Sequence, residues 1–255
     1  MFRHQGKTRT LSHNKKIASL LSFVAGIVNV AGFLGIQRLT TNVTGHFAFF
    51  IDGVFHLELG ESFIYFFYIL CFLLGSFVSN MLVELIRRKN ERYIYVIPIV
   101  IESAILLTVG LLGTKLLVID FNIIAYCLLF AMGLQNSLVT IISDAIVRTT
   151  HLTGLFTDLG IELSQLFFYK TPKHRKRLIT TIRLRLRIII YFFLGGIVGG
   201  VFYTFVELQV LILPAVLLLV GLEYDSLRYK LLAWNKKHMP TISNKIFPRL
   251  PGGKK

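Results

Sequence analysis

Six long apolar segments dominate the pattern of hydrophobic and polar positions along the 255-residue chain. All but the short last one are close to the length, about 20 residues, that an α-helix needs to cross the hydrocarbon core of a bilayer. The sequence therefore predicts an all-α polytopic membrane protein with about six transmembrane helices. Five or seven spans are the alternatives, because only the polar residues Glu207 and Gln209 interrupt the apolar sequence of the last pair of segments. The predicted spans are residues 17–36, 63–86, 93–113, 121–142, 188–206 and 208–222.

The composition agrees with this prediction and excludes several other classes of protein. The chain is 54% hydrophobic and only 16% charged, with a mean hydropathy of +0.67. Soluble domains carry about 25% charged residues, so an ordinary soluble enzyme, a disordered chain and a disulfide scaffold are excluded. A net charge of +15 is typical of nucleic-acid-binding proteins, but in so apolar a chain we expect no nucleic-acid partner.

The positive charges lie on one side of the predicted spans. That side contains 26 of the 28 Lys and Arg residues, and only Arg38 and Lys115 lie on the other. Because cytoplasmic loops are enriched in Lys and Arg, we predict that both termini are cytoplasmic and that this face binds anionic lipids. The predicted units are a basic N-terminus (1–16), two three-span repeats (17–118 and 119–224) and a basic cytoplasmic tail (225–255).

Three short motifs occur twice, in the same order, in the two halves of the chain. Because each unit has three spans, an odd number, the chain would enter the membrane for the second unit from the opposite face. This predicts an inverted repeat, a plan in which transporters bind substrates near mid-membrane at the repeat interface. The motif pairs are GIVN at 26–29 with GLQN at 133–136, TTNVTG at 40–45 with TTHLTG at 149–154, and LGSFV at 74–78 with LGGIV at 194–198.

The two threonine-rich segments, residues 40–45 and 149–154, are the most distinctive polar feature, and each precedes an apolar stretch with helical spacing. Thr44 or Thr153 as a helix N-cap would aim free amide N–H groups at a bound anion or carboxylate. The alternative is that both segments are ordinary helix caps at the membrane interface. Because the motif occurs twice with inverted placement, we favour solute binding.

Few polar residues lie inside the predicted spans. Glu102 is near the middle of the third span, where a carboxylate is costly enough to indicate a function such as carrying a proton or binding a cation. The alternative is a protonated side chain that donates one interhelical hydrogen bond. Asn29, Gln135 and Asn136 lie in the first and fourth spans, where they either line a site between the repeats or hydrogen-bond across helices.

The sequence contains no P-loop, Ser-His-Asp order, HExxH, CxxC or dinucleotide-binding motif. We therefore expect neither an enzyme nor a cofactor. Asp52 and His56 share a helix face at a separation of four residues, but no cysteine and no second close histidine pair accompanies them. We predict no metal site there.

Motifs in both halves resemble the YoaK-like family of bacterial membrane proteins, also called domain of unknown function 1275 (DUF1275). The resemblance extends from about residue 17 to about residue 222 and implies a six-span protein of the bacterial cytoplasmic membrane, with no activity attached. The chain departs from the family pattern at Asn29, where Asp is usual, and at His46, where Asn is usual. The motifs that carry the resemblance are residues 26–34, 44–45, 133–136, 148–154 and 157–159.

These features together predict a small secondary transporter or permease with a polar site at mid-membrane, for a small solute that the sequence does not identify. The alternative is a non-transporting scaffold, or a lipid- or partner-binding regulator that acts through its basic cytoplasmic face. A homo-oligomer is left open. The predicted solute-binding residues are Asn29, Thr41, Asn42, Thr44, Gly45, Glu102, Gln135, Asn136, Thr150, His151, Thr153 and Gly154.

Overall fold

The computed structural model describes residues 11–88, 94–143 and 145–224. Within these ranges the chain is helical, with turns and short connections but without a β-strand, as the apolar pattern predicts. The predicted tail and most of the predicted N-terminal unit lie outside the described residues. The helices are α1 (Leu11–Ile36), α2 (Val43–Phe55), α3 (Leu59–Arg87), α4 (Val96–Ile119), α5 (Phe121–Ile142), α6 (Leu152–Phe168), α7 (Pro172–Val206) and α8 (residues 212–224).

Five helical stretches among the described residues are long and apolar enough to cross a membrane. The fifth contains both the predicted fifth and the predicted sixth span, and a 3-10 turn, Glu207–Leu211, interrupts it. Glu207 has a left-handed φ of 50°, and beyond it Leu208 lies against Gly113 while Ile212 lies against Gly110. The chain therefore reverses at Glu207, and α8 runs back along α4. The five stretches are Asn14–Ile36, Leu59–Arg87, Val96–Ile119, Phe121–Ile142 and Pro172–Tyr224.

The two ends of the bundle differ in charge. α7 begins with Pro172, which suits the first position of a helix, and its first half carries seven Lys and Arg residues. We call this the basic end, and it includes Arg87 at the C-terminus of α3. At the opposite end, the Arg38 guanidinium carbon lies 5.3 Å from the Tyr65 ring centre and 5.7 Å from that of Phe121. The end of α1 therefore meets the beginnings of α3 and α5.

α1 and α7 form the first of two parallel helix pairs at the centre of the bundle. Gly26 of α1 lies directly against the carbonyl group of Phe192 in α7, and Gly195 of α7 lies against the carbonyl group of Phe23 in α1. A Cβ atom at either glycine would overlap the facing carbonyl oxygen. The two backbones approach this closely because glycine has no side chain.

α3 and α5 form the second parallel pair, with contacts at matching positions. Gly133 lies against the carbonyl group of Phe72, and Gly75 lies against that of Phe130. Each of these residues is the counterpart of one in the first pair, at the offsets of 107 or 120 residues that separate the sequence motifs. The packing of α1 on α7 therefore recurs, residue for residue, in the packing of α5 on α3.

α2 is too short to cross a bilayer: 13 residues at about 1.5 Å per residue span about 20 Å. After α1 ends, the chain turns at Gln37, whose φ is 53°, and folds back along the helix that it has just left. The Thr40 hydroxyl donates to the carbonyl oxygen of Val28 (3.3 Å). α2 consequently begins beside the middle of α1, and Gly53 near its other end meets Ser62 of α3.

α6, with 17 residues, repeats this arrangement at the basic end. The chain leaves α5, passes Ala145 with a φ of 57°, and folds back until the Thr150 hydroxyl donates to Asn136 Oδ1 (2.8 Å). α6 begins there and runs antiparallel to α7, reaching it through Glu162 and Arg185 (2.9 Å). Both short helices thus begin deep in the bundle and end at its surface.

The outer surface of the bundle is apolar. Large hydrophobic side chains on α3, α4 and α7 are exposed in the isolated chain, among them Phe77, Leu111 and Ile197, each more than 60% exposed. An apolar surface that extends over whole helices is typical of proteins that face lipid. The protein therefore belongs in a membrane, with the lipid bilayer as its surroundings.

Candidate functional site

A partly open cavity of about 900 Å³ lies where the two short helices begin. Residues of both threonine-rich segments line it, together with one asparagine from α1 and one from α5. One phenylalanine each from α3 and α7 completes the wall, and these two are counterparts at the 120-residue offset. We call this the central cavity; its principal lining residues are Asn29, Thr41, Asn42, Thr44, Gly45, Phe72, Asn136, Thr140, Arg148, Thr150, His151, Thr153 and Phe192.

The first threonine-rich segment is fixed to α1 by side-chain hydrogen bonds. The Thr41 hydroxyl donates to Asn29 Oδ1 at 2.7 Å, next to the bond from Thr40 to the backbone of α1. Thr40 is fully buried, whereas Thr41 is half-buried and at the cavity wall. One threonine therefore anchors the segment, and its neighbour contributes to the cavity.

The second segment is fixed to α5 in a similar way, but with more bonds. Asn136 Oδ1 accepts from the hydroxyl groups of both Thr150 (2.8 Å) and Thr149 (3.4 Å). Gln135 Nε2 donates to Thr149 Oγ1 (3.3 Å) and to the carbonyl oxygen of Leu21 (3.1 Å). The pairs Asn29–Thr41 and Asn136–Thr150 stand at the repeat offsets, so the two segments are held by corresponding side chains.

The two short helices direct their N-termini towards the central cavity, but they are capped differently. Asn42 is the N-cap of α2, and its Oδ1 accepts from the amide of Gly45 at 3.0 Å. His151 is the N-cap of α6 and makes no side-chain capping bond. The prediction of Thr44 and Thr153 as caps is wrong, because both helices begin two residues earlier. Amide groups in the first turn of a helix lack an intrahelical acceptor, so they are available to the cavity.

The wall of the cavity is rich in hydrogen-bond donors. It combines hydroxyl groups, amide side chains, two helix N-termini and the guanidinium group of Arg148, and the lining includes no Asp or Glu among the described residues. Asn136 Nδ2 is buried without a hydrogen-bond partner in the described part of the chain. Helix N-termini and Arg favour negative charge. The arrangement is therefore suited to a small solute that carries an anionic or acceptor group.

The structure brings nine of the twelve predicted site residues together at the central cavity. Of the other three, Gln135 supports the second threonine-rich segment from behind, and Gly154 lines a neighbouring cavity. Glu102 is fully buried in α4, outside the residues that line the central cavity. Neither of its carboxyl oxygens has a hydrogen-bond partner among the described residues.

Four of the principal lining residues are not among the predicted site residues, namely Arg148, Phe72, Phe192 and Thr140. The two phenylalanines stand two residues before the LGSFV and LGGIV motifs, so extending the repeat comparison would have found them. Arg148 was grouped with the basic loops, although it directly precedes the second threonine-rich segment. Thr140 has no signal in the sequence that separates it from other hydroxyl groups in apolar helices.

Two smaller cavities share lining residues with the central cavity or with each other in the direction of the basic end. The first, of about 440 Å³, shares Arg148 and His151 with the central cavity. The second, of about 450 Å³, shares Thr181 and Arg185 with the first. Arg185 is ion-paired to Asp158 (2.8 Å) and to Glu162 (2.9 Å). Polar residues therefore follow one another from the central cavity along α6 and α7.

On the other side of the central cavity, aromatic side chains fill the space between α2 and α3. The ring centres of Phe49 and Tyr65 are 5.1 Å apart, and those of His46 and Tyr68 are 5.0 Å apart. His46 is buried, and its Nε2 lies 2.7 Å from the carbonyl oxygen of Leu39. We call these side chains the aromatic cluster, and the Arg38 guanidinium group lies over the Tyr65 ring in it.

The surface residues Asp52 and His56 form an exposed pair, with 3.5 Å between His56 Nδ1 and Asp52 Oδ1. Within the described ranges, no three His, Cys, Asp or Glu side chains lie close enough together to hold a metal ion.

Comparisons with known proteins agree with the fold. The family model described as protein of unknown function (DUF1275) matches residues 17–222. The chain is similar to the UPF0700 transmembrane protein YoaK of Bacillus subtilis (strain 168), with 25% identity over 205 residues that cover 76% of this chain and 88% of that protein. No solved structure matches the chain significantly.

Proposed function

Because the chain belongs to the DUF1275 family of membrane proteins, we propose that it is a small secondary transporter or permease whose solute site is the central cavity. The observation that carries this proposal is the convergence of two re-entrant helix N-termini on one cavity. Irregular backbone at membrane depth is tolerated only where it is buried in protein or lines a cavity. Two such segments facing one cavity are the arrangement that binds solutes in transporters with broken helices.

The matching contacts of the two halves support an inverted repeat as the basis of this site. α1 enters from the basic end and its counterpart α5 enters from the opposite end. The Asn29–Thr41 and Asn136–Thr150 bonds then lie on either side of a pseudo-twofold axis that passes through the central cavity. In repeat-based transporters one half moves against the other around a fixed site.

The solute that suits this cavity is a small anion or a small molecule with a carboxylate group. Arg148 and the two helix N-termini supply positive potential, and no described lining residue supplies a carboxylate that would oppose it. Hydroxyl and amide groups of the threonine-rich segments then supply neutral hydrogen bonds. The cavity volume of about 900 Å³ lies within the range of small-molecule sites, about 300–1,000 Å³.

The two smaller cavities give the proposed route from the solute site to the cytoplasm. By the positive-inside rule the basic end is cytoplasmic, so the route along α6 and α7 opens inwards. The aromatic cluster closes the outer side. The arrangement supports an inward-facing state in which Arg185, with Asp158 and Glu162, stands beside the route.

A ligand screen followed by flux measurement tests this function. We expect some of the sodium salts of inorganic anions and small carboxylates to raise the Tm of the purified protein, because a ligand that binds only the native state stabilises it. Arg148→Gln should weaken that binding about 10-fold or more, since hydrogen bonds to charged groups contribute about 1.5–3 kcal/mol. Arg175→Gln, an equal charge loss on an exposed part of α7, is the matched control and should leave binding unchanged.

The flux measurement uses the stabilising anion in proteoliposomes. Uptake that Arg148→Gln reduces and Arg175→Gln does not would support transport through the cavity. Anion binding without flux would instead favour the alternative, a non-transporting scaffold or regulator. If neutral or cationic solutes bind instead, and Arg148→Gln leaves their binding unchanged, the assignment of an anionic solute is wrong. The cavity would then remain the proposed solute site.

Proton or cation coupling is assigned to Glu102, the carboxyl group buried in α4. If Glu102 carries or senses a proton, Glu102→Gln should abolish the pH dependence of uptake. Glutamine has nearly the same size as glutamate, so the substituted side chain still fits. Glu61→Gln, at an exposed position of α3, is the control. Unchanged pH dependence in Glu102→Gln would exclude this role and leave the solute site unaffected.

A further inference from the structure

A separate pocket of about 410 Å³ lies on the outer side of the α1–α7 pair at the basic end. Lys15 comes from α1, and Arg183 and Arg187 come from successive turns of α7. Leu186 lies between the two arginines in the sequence, and Ile190 and Tyr191, one turn further from the basic end, complete the lining. The pocket shares no residue with the central cavity or with the route along α6.

The three cations of this pocket have no neutralising carboxylate among the described residues. None of them forms an ion pair with a carboxylate in the part of the chain that the structure describes. Arg185, on the other face of α7, contrasts with them because Asp158 and Glu162 neutralise it. Arg183 and Arg187 are four residues apart, a spacing at which like charges repel on a helix. A bound anion would remove that repulsion.

The apolar part of the pocket faces outwards. Leu186 is 39% exposed and Ile190 is 51% exposed, and both continue the lipid-facing surface of α7. Beyond Arg187, in the direction from the basic end into the membrane, the lining of the pocket carries no further charge. A ligand with a negative head and a hydrocarbon tail matches both parts, whereas a free anion would match only the first.

We propose that Lys15, Arg183 and Arg187 form a binding site for the phosphate headgroup of an anionic phospholipid, with an acyl chain against Leu186 and Ile190. Basic pockets between transmembrane helices on the cytoplasmic side bind such headgroups, and each Lys or Arg near the surface adds about 1 kcal/mol. Because the site joins α1 to α7, a bound lipid stabilises that helix pair. The proposal does not depend on transport.

The test titrates delipidated, detergent-purified protein with phosphatidylglycerol and follows the Tm. The double variant Arg183→Gln/Arg187→Gln should raise the half-maximal lipid concentration about 25-fold, as expected for two such charges. The matched control is Lys173→Gln/Lys176→Gln, which removes two exposed charges of the same helix outside the pocket. It should change that concentration less than about 3-fold.

Two further arms identify the ligand. Phosphatidylcholine should stabilise the protein less than phosphatidylglycerol, and inorganic phosphate should not reproduce the effect. Equal weakening by both double variants would show a general electrostatic attraction and overturn the site. Equal stabilisation by inorganic phosphate would overturn the lipid assignment. If the double arginine variant does not fold, Lys15→Gln alone should still raise the half-maximal concentration about 5-fold, and no change there would also contradict the site.

Discussion

The α2–α3 and α6–α7 hairpins have the same backbone plan but are closed by different chemistry. Phe49 stacks on Tyr65 in the first hairpin, and the residues at the corresponding repeat positions in the second are Asp158 and Arg185, which form an ion pair. Aromatic packing excludes water, whereas a partly exposed ion pair lies beside cavities that water can enter. Under the proposed function, the aromatic hairpin would be the closed side of the site and the ion-paired hairpin the accessible side.

What the hairpins share is the attachment of a threonine-rich segment to an asparagine on the preceding helix. Each such bond fixes the depth of its threonine-rich segment in the bundle. Under the proposed function, the shared part would contact the solute and the part that differs would control access to it.

The largest effect is expected at the helix crossings that the two halves have in common. Gly26→Ala and Gly133→Ala should each destabilise the protein by about 3 kcal/mol, the upper end for an overpacked core, because the added Cβ meets a backbone carbonyl group. Gly160→Ala is the control: it is helical with open space around it, and should stabilise by about 0.5–1 kcal/mol. Thermal unfolding in detergent measures all three. Unequal losses of stability for the Gly26 and Gly133 variants would show that the two helix crossings are not equivalent.

The second prediction tests whether the α2–α3 and α6–α7 hairpins are stabilised independently of each other. Arg185→Gln removes the ion pairs between α6 and α7, and should raise amide hydrogen exchange across α6 about 10- to 100-fold, since hydrogen bonds to charged groups contribute about 1.5–3 kcal/mol. Exchange across α2 should not change. Tyr65→Leu is the mirror variant and should loosen α2 while α6 keeps its rate. A simultaneous response of both helices to either variant would mean that the hairpins open together.

Much of the fold, and the composition of the site, could be predicted from the sequence. Hydropathy identified the apolar segments, and the repeated motifs identified both threonine-rich segments. The return of Thr41 to Asn29 could not be predicted, because the turn that permits it is at Gln37, a non-glycine residue with a positive φ. The exclusion of Glu102 from the cavity could not be predicted either. Hydropathy gives the depth of a residue in the membrane but not the direction in which its side chain points.

A smaller difference is expected between the two asparagine anchors. Asn136 accepts two hydroxyl groups and Asn29 accepts one, and each such bond in a membrane contributes on the order of 1 kcal/mol. Asn136→Ala should therefore lower stability by about 1 kcal/mol more than Asn29→Ala does. Thermal unfolding of both variants, with the double variant to test additivity, measures this. Equal losses of stability would mean that the long hydrogen bond from Thr149 to Asn136 does not stabilise the protein.

The smallest effect concerns the N-caps of the two short helices. Asn42 caps α2 through the Gly45 amide, and an N-cap side chain contributes about 0.5–2 kcal/mol, so Asn42→Ala should destabilise by about 1 kcal/mol. His151 makes no capping bond, and His151→Ala should cost only a few tenths. His151→Asn would place a capping side chain at the corresponding position and stabilise α6 by up to about 1 kcal/mol. That same cap would occupy an amide group now available to the cavity. A gain in Tm together with weaker anion binding would therefore identify the free N-terminus of α6 as part of the solute site, whereas a gain in Tm with unchanged binding would assign the site to Arg148 and the hydroxyl groups alone.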